Sequence, residues 1–220
     1  MFMGDDAAYN RFLNLDAVVY RIIDHLARSQ TKYADYLWKI LAYDTEDCLS
    51  KPSLSYKERI GLVYLNNGDA SIKRVFMSPY IDDGWVEQSS HLHIYIHSIK
   101  PQNNVLSTVN VCFELITHNK ISNIVSDANE LNKFVNPAEM SDDGSPIVRY
   151  KSRTEVMLRS VLAELNGIGV AGVGTFSFNA TKNDQNWAKM SLWNNKKFFG
   201  YELIMSTMMS GVSDDTDCGY

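Results

Sequence analysis

Apolar residues recur at helical spacing from Leu15 to Arg28: Leu15, Val18, Val19, Ile22, Ile23 and Leu26. Asp16 and Asp24 lie on the opposite face, so the spacing predicts an amphipathic helix, with Asn14 placed to cap it. A second helix is predicted over Thr31 to Tyr43, with Tyr33, Leu37, Ile40 and Leu41 on one side and Trp38 beside them. A third, Ser55 to Leu65, opens on the capping-box pair Ser55 and Glu58 and carries Ile60, Leu62, Val63 and Leu65. Pro52 precedes it and Asn66-Asn67-Gly68 ends it.

The period then changes to two. Leu92, Ile94 and Ile96 face one way while His91, His93, Tyr95 and His97 face the other. Beyond the Pro101 to Asn104 turn, Val109, Val111, Phe113 and Leu115 point inward and Asn110, Cys112 and Glu114 outward. This alternation predicts an antiparallel hairpin. Ile72 to Met77 adds a short strand upstream, and the polar stretch Asp127 to Pro146 reads as an excursion. Arg153 to Leu165 returns to helical spacing and stops at Asn166-Gly167. Strands are predicted at Gly172 to Ala180 and at Phe198 to Met208, the latter with Phe199, Tyr201, Leu203 and Met205 on one face. The order is ααα-ββ-α-ββ: an α+β fold in which antiparallel hairpins form a sheet with helices on one face, behind an N-terminal helical section. Residues 1–14 form an arm and 15–210 a single domain, with a helical section at 15–66 and a hairpin and helix-hairpin core at 72–208. Residues 211–220 are an acidic tail expected to fray.

Composition narrows the function. The 220 residues hold 21 Lys plus Arg against 26 Asp plus Glu, a net charge of −5, which argues against a protein that coats nucleic acid. Three dispersed cysteines, Cys48, Cys112 and Cys218, form neither a zinc ribbon nor a disulfide framework. No secretory leader opens the sequence and no apolar run is long enough to cross a bilayer, so a soluble protein from a reducing compartment is expected.

His91, His93 and His97 share one strand face. The first two lie roughly 6.6 Å apart and could hold zinc if Glu114 or His118 reached across; the plainer reading is a solvated or interface-facing surface. Gly167 to Gly172 satisfies G-x-G-x-x-G, but a helix precedes it and a strand follows, the reverse of a dinucleotide site. Asn179-Ala180-Thr181 matches a glycosylation sequon without a secretory context. Cys112 and His118 lack the third group a nucleophile pair needs. Asp82, Asp83 and Glu87 read as a solvated loop, and Arg149, Lys151, Arg153 and Arg159 as a basic helix start, either solvated or serving a partner. Trp187 and Trp193 sit in the polar connection Thr181 to Lys197, where little local core could bury them. They are therefore expected to anchor contacts between subunits. No catalytic residue, metal or cofactor is expected.

The order of elements resembles the tail-terminator and neck-protein group of tailed bacteriophages. The resemblance rests on the hairpin Leu92 to Leu115, the helix Arg153-Thr154-Glu155-Val156-Met157-Leu158 and the strand Phe199-Gly200-Tyr201-Glu202-Leu203. The segment Tyr43-Asp44-Thr45 through Leu49-Ser50-Lys51-Pro52 to Arg59-Ile60 is similar to neck proteins of large tailed phages. It implies a virion protein, assembled in the host cytoplasm, that forms a sixfold or twelvefold ring at the head–tail junction. Its neighbours would be portal, neck or tail proteins, with genomic DNA passing through the channel and no catalysis. A modestly acidic charge suits such a channel. The subunit interface is expected to include Trp187, Trp193, His91, His93, Tyr95 and His97. A baseplate component and a metal-dependent enzyme using the His91/His93 strand are the alternatives.

Overall fold

The apolar ridge that begins the sequence folds as α1, Leu15–Arg28, with Val18, Ile22, Ile23 and Leu26 buried. The computed structural model describes residues 15–65, 69–79, 88–102, 106–125, 150–178, 187–192 and 197–210. Thr31 caps α2, Lys32–Ala42, by accepting from the Ala34 amide. Leu37, Trp38, Ile40 and Leu41 are buried, but Tyr33 is exposed and Ala34 takes the inward position expected of it.

The capping box of Ser55 and Glu58 forms, yet α3 is only Tyr56–Gly61, shorter than the spacing predicts. The reason is competition from strand pairing. The Tyr64 amide bonds the Val75 carbonyl, and Val63 bridges Val75 in parallel. That pairing draws the chain out of the helix and leaves Leu65 exposed.

Val75 belongs to β1, Val75–Phe76, which pairs in parallel with β2, Ser90–Pro101, so the sheet is mixed rather than purely antiparallel. β2 and β3, Leu106–His118, form the expected hairpin, with a bulge at His97 where the register shifts between Ile96 and Ser98. After a short pair, β4 (Asn123–Val125) with β5 (Tyr150–Ser152), comes α4, Arg153–Leu165.

The strand predicted from Gly172 to Ala180 forms, shortened, as the second arm of a tight hairpin, β6 (Gly169–Val170) with β7 (Gly174–Ser177). Positive φ at Gly172 and Gly174 makes its turn, conformations other residues reach only with strain. The connection after it is not wholly irregular either, because Ala188–Leu192 forms β8. β9, Phe198–Ser210, pairs with β3 along its whole length and shares its other edge between β7 and β8. The order is β1-β2-β3-β9-β7-β6, with β8 beside β9. Gly200 is obligatory there, since a Cβ would run into the Leu115 carbonyl.

Helices α1, α2 and α4 cover one sheet face. Leu92, Ile94, Val109, Val111, Phe113, Leu115, Leu203 and Met205 join Ile22, Leu37, Leu41, Met157, Val161 and Leu165 in a single core. Two arginines lock the helices onto one another. A helix C-terminus leaves carbonyls without intrahelical partners, and burying them unpaired is costly. Arg59 donates to the Ala27 and Ser29 carbonyls, 3.1 and 2.6 Å away, at the end of α1. Trp38 Nε1 donates to Leu26 there at 2.9 Å. Arg153 does the same for α2, donating to Ile40 and Tyr43 at 3.2 and 3.0 Å and to Thr45. Fully buried, Arg153 is therefore no part of a solvated or partner-facing basic surface, and the expectation from the charge run is corrected at this position.

Arg153→Ala should lower unfolding stability by about 3 kcal/mol or more, because three carbonyls lose their donor in a dry site. Arg159→Ala, on the same helix, should change it by under about 0.5 kcal/mol. Urea unfolding of the two variants checks the difference. Comparable losses for both would show that the carbonyl clamp is not what matters.

Candidate functional site on the polar face of the sheet

Residues paired directly across a sheet share a face. The register therefore sets Phe76, His93, Glu114, Glu202 and Lys189 in one row from β1 to β8. The next row holds Tyr95, Cys112 and Ile204. This is the face turned away from the helices. Alternation predicts it to be open, yet His91, His93, Asn110, Cys112, Glu114 and His118 are all buried.

Aromatic residues from β1 and β9 shelter the histidines. Phe76 lies 5.9 Å from the His91 ring and 5.1 Å from that of His93, while Phe198 sets its ring edgewise to His91 and His118. The histidine surface expected to be displayed is thus covered within the chain at His91 and His93. Tyr95 is half-buried, and His97, lifted by the bulge, is exposed.

His93 Nδ1 lies 2.8 Å from the Ser78 carbonyl and His91 Nε2 2.5 Å from Ser89 Oγ. Tyr95 donates to Glu114 Oε1 at 3.0 Å. Glu114 Oε2 is buried and stands 3.8 Å from His93 Nδ1. Further along, Asn110 accepts from Ser206 at 2.7 Å and donates to Ser98 at 2.8 Å.

Burial sets the protonation states. It pushes the Glu114 carboxyl up to about 7, with the Glu202 charge adding to the rise and the Tyr95 hydrogen bond opposing it. It lowers His93 to about 4 and holds His91 well below its usual value. Cys112 is pushed up to about 12, so its thiol is not a nucleophile at neutral pH. Between about pH 4 and 7 His93 and Glu114 therefore meet as a neutral pair rather than as an ion pair.

The geometry also disposes of the other candidate chemistry. Cys112 and His118 are six residues apart on one strand, on the order of 20 Å, too far to form a nucleophile and base. His118 instead accepts from the Lys120 amide and caps a short 3₁₀ turn. Among the described residues no three His, Cys, Asp or Glu side chains are grouped to hold a metal ion. The G-x-G-x-x-G segment follows the C-terminus of α4 and forms β6 and its turn, the opposite of a phosphate-binding context. Trp187 is half-buried just ahead of β8, its carbonyl accepting from the Ile204 amide, with Lys189 Nζ 4.7 Å over its ring. Trp193, Asp82, Asp83, Glu87, Arg149 and the sequon at Asn179 lie outside the described residues. No helix among the described residues is long and apolar enough to cross a membrane.

The family model described as YomW matches residues 34–207, and the chain belongs to that family, which is phage-derived, from yomW of SPbeta-like Bacillus phages. It is thus a phage-encoded protein. No curated protein and no solved structure matches it.

The neutral pair has a signature in stability. Between about pH 4.5 and 7 the folded chain keeps a proton on Glu114 that the unfolded chain has lost, so this group's contribution falls as pH rises. Between about pH 4 and 6.5 the unfolded chain carries a proton that folded His93 lacks, so the histidine contribution rises with pH. Over the shared span the two cancel. Glu114→Gln removes the first alone. Its stability should therefore fall as pH drops from 6.5 to 4.5, and should exceed that of the parent by ~1–2 kcal/mol at pH 8. Denaturant titrations across pH check this; a variant that tracks the parent would refute the neutral pair.

Proposed function

We propose that this phage protein is a non-enzymatic structural subunit that closes into a ring at the head–tail junction of the virion. The observation that carries the reading is the placement of its exposed apolar side chains. Apart from three tyrosines, the large apolar residues exposed among the described ones fall into two groups at opposite sides of the sheet. Leu65, Ile72 and Met77 flank β1, Ile72 being 62% exposed. Ile168, Met190 and Met208 lie on the β6–β8–β9 side, Met190 being 52% exposed.

Two unlike surfaces on opposite sides are what a heterologous, head-to-tail contact requires, and such contacts close into rings when the rotation permits. Tyr95 and His97 extend the first surface along the outer edge of β2, while Trp187 and Lys189 extend the second along β8. A sixfold or twelvefold ring would leave a channel for genomic DNA, for which a net charge of −5 gives a non-adhesive lining. Portal, neck and tail proteins would be its neighbours. The inert state of Cys112 and the sheltered histidines support the absence of catalysis.

Ile72→Asp and Met190→Asp test the arrangement. Neither variant alone should close into a ring, and each should keep its thermal midpoint. Mixed in equal amounts, they should form a dimer but no closed ring, since each retains one intact surface. Sedimentation velocity and electron microscopy read the outcome. Rings from either variant alone, or no association in the mixture, would overturn the reading, and a trimeric or sixfold assembly away from the portal would favour a baseplate component.

A further inference from the structure

The three exposed tyrosines remain, and they lie on the helical side. Tyr20, Asp24 and Arg28 follow one another at i, i+4 and i+8, one ridge of α1 turned away from the core. Tyr56, the first residue of α3, packs over that ridge. Asp24 accepts from Arg28 Nε at 2.7 Å and from the Tyr56 hydroxyl at 2.8 Å, and the Arg28 guanidinium sits 4.8 Å over the Tyr56 ring. Tyr20 and Tyr56 are nevertheless 45% and 38% exposed. The Arg28 side chain, held to Asp24 through Nε, is nonetheless 67% exposed. Lys57, next to Tyr56, is exposed as well, whereas the Glu58 carboxylate is occupied by Ser55.

We propose that this tyrosine–arginine ridge is a docking surface for an acidic peptide, the segment 211–220 of a neighbouring copy. An arginine already stacked and held at Nε loses little freedom on binding and presents a fork matched to a carboxylate. Rigid tyrosines beside it offer contact area at low entropic cost. The charge complement lies within the same sequence, Gly211-Val212-Ser213-Asp214-Asp215-Thr216-Asp217-Cys218-Gly219-Tyr220, with three carboxylates and no cation. The contact links copies and so rests on the ring reading, but binding of the isolated peptide does not depend on ring closure.

A fluorescent peptide of residues 211–220 is titrated into the full chain at low and high salt. Saturable binding that weakens with salt, and that falls about tenfold or more in Arg28→Glu, is expected. Arg28→Gln should lie between the two, and circular dichroism should show both variants folded. In the full chain, Asp214→Asn/Asp215→Asn/Asp217→Asn should weaken self-association to the same extent as Arg28→Glu. Equal binding to parent and Arg28→Glu would overturn the proposal. Tighter binding of a single-stranded oligonucleotide, or of a peptide of residues 1–14, at the same ridge would overturn it too. Peptide binding that survives in Ile72→Asp and Met190→Asp, with rings lost, would uphold this contact independently of the edge contacts. Intact rings in Arg28→Glu would sink it while leaving the ring reading in place.

Discussion

Burying the middle strand of the sheet on both faces is the constraint on which the rest depends. β3 has β2 on one side and β9 on the other for nearly its whole length, and almost every residue from Ser107 to His118 is buried. On the helix side this is simple, because Val109, Val111, Phe113 and Leu115 meet an apolar layer. On the other side the chain places Asn110, Cys112, Glu114 and His118 in a dry environment, where an unpaired polar group costs 1–3 kcal/mol. The response is visible at each position. Asn110 links Ser98 to Ser206, Glu114 takes the Tyr95 hydroxyl and holds its proton near neutrality, and the histidines stay uncharged under Phe76 and Phe198.

The helical layer solves the same problem by different means. Carbonyls in the last turns of α1 and α2, those of Ala27 and Ile40, are buried and cannot be left to water. Arg59 and Arg153 bring long, always-charged side chains from elsewhere in the chain to those two ends, where the negative pole of each helix dipole adds to the attraction. Arg153 also begins α4, so a single residue fixes the angle between α2 and α4 while satisfying the end of α2.

Where the information was local, the sequence was legible. The ridge of α1, the capping box at Ser55, the two periods of the central hairpin and the inward face of β9 were each written in a short stretch, and each formed where expected. Failures came from long-range competition. α3 was cut short because Val75, twelve residues beyond Val63, offered a better partner than the next helical turn. The histidine face closed because Phe76 and Phe198 arrive from strands far apart in sequence, which no periodicity reveals. Arg153 looked like surface charge because nothing near it announces three distant carbonyls. The strand expected from Gly172 to Ala180 held β7, whereas β6 was missed because Gly172 and Gly174 mark a turn within a hairpin.

The edges of the sheet decide what kind of assembly such a chain can build. An open edge is a template for unlimited strand addition, and natural sheets blunt it with bulges, proline and charge. The outer edge of β2 carries all three: the bulge at His97, Lys100 and Pro101. β1 covers only its start, at Leu92 and His93. On the far side β6 and β8 are short, two and five residues, and cannot template a long ladder. Backbone pairing between copies is thus discouraged on both sides, while apolar side chains remain displayed there. Apolar side chains displayed beside short or blunted edges make side-chain packing, not strand addition, the contact such edges favour.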